Sequence, residues 1–263
     1  MSNLNVTLVQ TQQFWEDKQA NLNHLDKVLT TIGKTDLIVL PEMFNTSFSM
    51  NAEILAEEMA DSEALLWLKK AATEKSCAIY TSFIVKDKGH FYNRGIFMLP
   101  SGEYTKYDKR QLFSLAGEDQ IFSPGKDQVI VEYKDWKILL QICYDLRFPE
   151  IQRNGLDRDG KPVYDLLLTI ANWPKSRSLH WKTLLSARAI ENQCYVVGVN
   201  RVGQDGKGLE YTGDSAVIDL LGHKTALESG EDNLISSTLN KDTLNEMRRK
   251  IPFLKDISLK SNY

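Results

Sequence analysis

Two short runs of apolar residues most constrain how this chain can fold. Leu37-Ile38-Val39-Leu40 is continuous and stops at Pro41, and Tyr164 to Ala171 is equally apolar in its second half. Unbroken runs of this length suit parallel strands buried on both faces, which require helices as crossovers. A helix is expected from Asp17, because Leu22, Leu25, Val28, Leu29 and Ile32 share one face before Gly33. Asp61 is expected to cap a second helix carrying Leu65, Leu68 and Ala72, and Ser178 a third carrying Trp181, Leu184, Leu185 and Ala189. Further strands are expected at Val6 to Val9, Tyr195 to Val199 and Ala216 to Ile218. Hairpins are expected around Lys86 to Gly89 and around Lys134-Asp135.

No linker, charge run or fixed-period repeat divides the 263 residues, so a single layered α/β domain over 1–263 is expected. The 32 basic and 35 acidic side chains give a net charge of −3, which provides no basic field for nucleic acid or an anionic membrane. No apolar run approaches the roughly 18 residues needed to span a bilayer, and Met1 to Gln10 lacks the pattern of a leader. Three cysteines form neither a disulfide framework nor a metal knuckle. Together these features predict a reduced, cytoplasmic protein acting on a small molecule.

Chemistry is expected where buried strands end in polar residues. Glu42 follows the first apolar run, Lys109 lies in Lys106 to Arg110, and Cys143 follows Trp136 to Ile142. Each also has a plainer reading: a solvated acid, a solvated lysine, a packed thiol. Pro149 predicts a helix start just beyond Cys143, whose dipole would favour a thiolate. Cys77 and Cys194 sit inside apolar runs and are expected in the core. His24, His90 and His223 are expected to face solvent; only His180 has a place near a site. A catalytic Cys143 therefore needs a base other than histidine.

The segments Leu40 to Phe44, Tyr107 to Phe113 and Gln141 to Glu150 resemble, in order, the three active-site motifs of the nitrilase superfamily of carbon–nitrogen hydrolases. Ala187 to Gln193 and Gly213 to Asp219 resemble its later segments, so the likeness spans nearly the whole chain. Cys143 to Glu150 and Asn172-Trp173-Pro174 are most similar to the omega-amidase branch.

The resemblance implies a four-layer α-β-β-α sandwich, a homodimer and a Glu-Lys-Cys triad that uses no metal or organic cofactor. Glu42 would be the general base and acid and Cys143 the nucleophile, while Lys109 and the Tyr144 N–H would hold the oxyanion. Glu118 matches a second glutamate that supports the lysine; an exposed loop acid is the alternative. The implied substrate is a small α-keto acid with a terminal amide, such as α-ketoglutaramate. Arg177 is the candidate for its carboxylate and Trp173 for a pocket wall, whereas Arg147 is expected to pair with Asp145 or Glu150. Other aliphatic amides, N-carbamoyl compounds and nitriles remain alternative substrates, and a catalytically silent interaction protein is the non-enzymatic alternative.

Overall fold

The computed structural model of the chain describes residues 3–257. Met1 and Ser2, part of the segment examined for a leader, lie outside the described residues. Six strands of the N-terminal half are β1 (Asn3–Gln10), β2 (Leu37–Val39), β3 (Glu57–Glu58), β4 (Ala78–Asp87), β5 (His90–Met98) and β6 (Tyr104–Asp108). Strands β7 (Ile130–Tyr133), β8 (Trp136–Ile142), β9 (Leu166–Ala171), β10 (Tyr195–Asn200), β11 (Val202–Gln204), β12 (Glu210–Ile218) and β13 (Lys224–Ser229) build the second sheet. The last strand, β14 (Asn233–Asn240), returns to the first sheet beside β1. Each sheet has a parallel centre, β1-β2-β4 in the first and β8-β9-β10 in the second, flanked by antiparallel neighbours.

Helices are α1 (Lys18–Thr31), α2 (Ala52–Leu55), α3 (Glu63–Lys75), α4 (Glu118–Ile121), α5 (Ser178–Asn192) and α6 (Lys241–Lys250). Side-chain alternation sorts the layers. Leu37 and Val39 of β2 face the second sheet's Ile138, Leu140 and Ile142, while Ile38 between them packs with Leu22, Leu25 and Leu29 of α1 and Leu68 of α3. Helix α5 covers the outer face of sheet two through Trp181, Leu185 and Ala189. The result is the expected four-layer α-β-β-α sandwich. Among the described residues no helix is long and apolar enough to cross a membrane.

Local expectations differ from the structure in small, physical ways. Ser62, not Asp61, caps α3, its Oγ accepting from Leu65 N at 2.9 Å. Ser178 is the first residue of α5 rather than its cap, and its Oγ donates to Asp214 Oδ2 at 2.8 Å. Both hairpins form where expected: Lys134 and Asp135 take φ of 48° and 64°, the left-handed pair of a tight two-residue turn. Strands β6 and β14 and helix α6 carry no strong apolar pattern and escaped the sequence reading.

Gly125 bears on the site because its N–H donates to Lys109 O at 2.9 Å. A Cβ there would stand 2.0 Å from Asp108 O, a backbone atom that cannot rotate away. Gly125→Ala should therefore lower stability by about 1–3 kcal/mol or more, read as a reduced urea midpoint at unchanged slope.

Candidate active site

The parallel strands deliver their C-terminal ends to one edge of the sandwich. Glu42 follows β2 by three residues, Lys109 follows β6 directly, Cys143 follows β8 directly and Asn172 follows β9 directly. Crevices outside the carboxyl ends of parallel strands are the usual place for a site in α/β folds. All three candidate triad residues are brought together there, with Glu118 from the start of α4. Glu42, Lys109 and Glu118 are fully buried and Cys143 is 9 % exposed. The readings of Glu118 as an exposed loop acid and of Lys109 as a solvated lysine are thereby corrected.

Lys109 Nζ donates to Glu42 Oε1 at 3.0 Å and to Glu118 Oε1 and Oε2 at 2.9 and 2.8 Å. Burial by itself would lower the pKa of this ammonium, but the charges of Glu118 and Glu42 outweigh burial and hold it raised. Glu118 also accepts from Phe113 N at 2.6 Å; burial pushes its carboxyl up against the opposing pull of Lys109. Glu42 is fixed from three sides: Asn93 Nδ2 donates to Oε1 at 2.8 Å, Asn172 N to Oε2 at 2.9 Å, and Asn172 Nδ2 to its carbonyl at 2.6 Å. Lys109 and Asn93 occupy Oε1, so Oε2 keeps acceptor capacity for a further donor.

Burial, then the charge of Glu42, pushes the Cys143 thiol well above the ordinary range. The helix expected beyond Cys143 is only two successive 3₁₀ turns, Cys143–Arg147 and Pro149–Ile151, although Pro149 does open the second. The expected helix dipole is therefore missing beside Cys143, and burial with the charge of Glu42 favours the thiol over the thiolate. Cys143 itself has φ +47°, a left-handed conformation that costs a non-glycine residue about 1–3 kcal/mol and marks an over-determined turn. Cys77 and Cys194 are fully buried as expected, with thiols pushed up by burial to about 11 and about 12.

Cys143 and Lys109 open onto a cavity of about 390 Å³ that Tyr144, Trp173, Arg147 and Arg177 also line. Trp173 is both wall and core, 3 % exposed, with its Nε1 donating to Arg177 O. Arg147 makes no ion pair with Asp145 or Glu150. Its guanidinium lies 4.6 Å from the Trp173 ring, and burial and Arg177 lower its pKa. Arg177 lies 5.3 Å over Phe113. Aromatic faces thus hold two cations toward one space, while Asp205 and Lys207 add opposite charges at the far wall. His180 is exposed and contacts Arg147 Nη2 at 3.3 Å without lining the cavity. His24 is half-buried against Thr11 at 2.6 Å rather than solvent-facing. Asn93 and the segment 205–211 were missed, since no local pattern shows that a β5 side chain or a distant hairpin reaches this edge.

This constellation is that of a hydrolase of carbon–nitrogen bonds, and the carbon–nitrogen hydrolase family model matches residues 5–249. The chain belongs to that family. It is 43 % identical to the protein named omega-amidase YafV of Yersinia enterocolitica over 257 residues, 97 % of each chain. It is 35 % identical to a 2-oxoglutaramate amidase of Bacillus subtilis, covering 84 % of this chain and 85 % of that one. A crystal structure of a CN-hydrolase superfamily protein from Xanthomonas campestris, which carries an arsenic adduct in its active site, superposes with a TM-score of 0.96. That protein is 39 % identical, and the match covers 98 % of each chain.

Exposure predicts the order of thiol reactivity, since Cys143 alone of the three thiols reaches the cavity. Iodoacetamide should label Cys143 ahead of Cys77 and Cys194, as read by peptide mass spectrometry. Because the Cys143 pKa is raised above 9.0, its labelling rate should keep climbing with pH through that value. A plateau near neutral pH would show a preformed thiolate instead.

Proposed function

We propose that residues 1–263 act as one carbon–nitrogen hydrolase domain that cleaves the terminal amide of a small α-keto acid to the keto diacid and ammonia. α-Ketoglutaramate and α-ketosuccinamate are the substrates of choice. One observation carries the substrate class: Arg147 and Arg177 face the cavity that holds Cys143, and neither forms an ion pair among the described residues. A carboxylate at the far end of the substrate would supply the missing counter-charge, with bidentate geometry available from Arg177. The names of the relatives support the same class.

In this reading Glu42 takes the Cys143 proton as sulfur attacks the amide carbon. Two buried carboxylates and one ammonium already leave the cluster one net negative charge; moving the proton from thiol to Glu42 keeps that charge constant. An ionised thiol beside an ionised Glu42 would double it. The tetrahedral oxyanion is held by Lys109 and the Tyr144 N–H. All three Lys109 contacts are with carboxylate oxygens, so its help is chiefly electrostatic unless one proton turns toward the substrate. Protonated Glu42 then gives its proton to the departing nitrogen, which leaves as ammonia from a Cys143 thioester. Glu42 next removes a proton from water as that water attacks the thioester. The second tetrahedral species releases the acid, and Glu42 returns the proton to sulfur.

A cytoplasmic setting, which keeps the three free thiols reduced, is part of the proposal. So is a homodimer; the outer face of α5 exposes Leu179 and Ile190, apolar area that a second copy would cover. Sedimentation as a monomer at micromolar concentration would remove the dimer from the proposal.

Cys143→Ala should abolish ammonia release from α-ketoglutaramate while leaving the circular dichroism spectrum unchanged. Arg177→Met should raise KM about 10- to 100-fold with kcat less affected, the loss of a charged hydrogen-bond pair worth about 1.5–3 kcal/mol. A preference for nitriles or N-carbamoyl amines in steady-state efficiency would overturn the substrate class.

A further inference from the structure

Asp145 lies two residues beyond Cys143, is fully buried and does not line the cavity. Its carboxylate nonetheless joins the two halves of the site. Oδ2 accepts from Ile142 N at 2.9 Å, the peptide immediately before the nucleophile. The same oxygen accepts from Tyr107 OH at 2.7 Å, and Oδ1 accepts from Gln111 N at 2.8 Å. Tyr107 and Gln111 stand two residues to either side of Lys109. One carboxylate from sheet two thus grips the Lys109 segment on both sides while holding the strained turn that presents Cys143.

We propose that Asp145 is a positioning residue, which sets the Cys143 thiol against Lys109 by holding both backbones on a single ionised carboxylate. The inference rests on Cys143 being the attacking group. Three donors converge on an acceptor-only group, and a protonated or amide side chain at this place would turn a donor toward donors. Asp145→Asn therefore lets the turn and the lysine segment drift, and a displacement near 1 Å costs about 10²-fold in rate.

The ionisable groups facing Asp145 are Tyr107 and Tyr80 from sheet one and Lys109 beyond them. Burial pushes the Asp145 carboxyl up to about 6, opposed by the Tyr107 hydroxyl and the two backbone N–H groups. The ionised form does the positioning, so kcat falls as pH drops through about 6. Its folded pKa lies above the ordinary aspartate value of 3.8, so the folded state takes up the proton first. This group's contribution to stability therefore grows as pH falls across that window. Activity and this share of stability move in opposite directions, which a merely structural residue would not produce.

The test compares kcat, KM and thermal midpoint across pH values bracketing 6 for the wild type, Cys143→Ala, Asp145→Asn and Tyr107→Phe, with α-ketoglutaramate. Asp145→Asn should lose about 100-fold in kcat with KM unchanged. Tyr107→Phe removes one donor, so it should remain folded and active while the acid limb of its kcat profile moves to higher pH. Should Asp145→Asn fail to fold, the Tyr107→Phe profile decides alone. Activity retained in Cys143→Ala would overturn the nucleophile itself. An inactive Cys143→Ala beside a Tyr107→Phe whose acid limb stays in place would overturn the role of Asp145 only.

Discussion

One ammonium held between two carboxylates is the interaction on which the site depends. Lys109 is fully buried, and without Glu42 and Glu118 its charge would be untenable in that position. The dependence is mutual. Removing the lysine alone would strand two buried carboxylates, a loss of about 3–5 kcal/mol. Such a cluster is a poor way to gain stability, since hydrophobic residues of the same volume would do as well. What it gains is a fixed local field: Glu42 is held by Lys109, Asn93 and Asn172 in one orientation.

That field explains why the cysteine need not be a thiolate at rest. A negative cluster raises the thiol pKa, the opposite of the cysteine–histidine arrangement in which a cation lowers it. In the proposed mechanism the nucleophile is generated only as its proton passes to Glu42, so attack and deprotonation are coupled. A thiol held neutral in this way reacts more slowly with oxidants and alkylating agents than a thiolate would. Arg147 and Arg177, stacked on aromatic faces, supply positive potential on the cavity side of this cluster.

Much of this architecture was legible in the chain. Leu37 to Leu40 and Leu166 to Ala171 announced buried parallel strands because period-two alternation is absent when both faces are covered. The polar end of the first, Glu42, followed from that, whereas Asn172 entered only through the likeness of Asn172-Trp173-Pro174 to the omega-amidase branch. The family motifs carried Lys109, Cys143 and Glu118 further than composition or periodicity can, because a buried lysine reads in sequence as a solvated one. What stayed hidden were contacts between distant segments. Arg147 is followed by Phe148-Pro149-Glu150, which suggests a local ion pair; only the approach of Trp173, two residues beyond β9, reveals a stacking partner instead. Asp145 read as a neighbour of Arg147, whereas two of its three donors, Tyr107 OH and Gln111 N, come from β6 of the other sheet and the loop after it. The electrostatic state of Cys143 was likewise misjudged, since a short 3₁₀ turn and a longer helix begin with the same residues.

The pairing of β1 with β14 has a consequence for the order in which the enzyme is made. Asn5 and Thr238 are register partners 233 residues apart, and the two strands match along their full length. During synthesis the sheet that carries Glu42 and Lys109 keeps an open edge until residue 240 has left the ribosome, although every candidate catalytic residue has emerged long before. Long-range pairings of this kind are slow to form and leave unpaired strand edges exposed meanwhile. The nascent chain is therefore without its closing seam until β14 has emerged. Chaperones that shield bare strand edges would find their substrate here in the interval before the last strand docks.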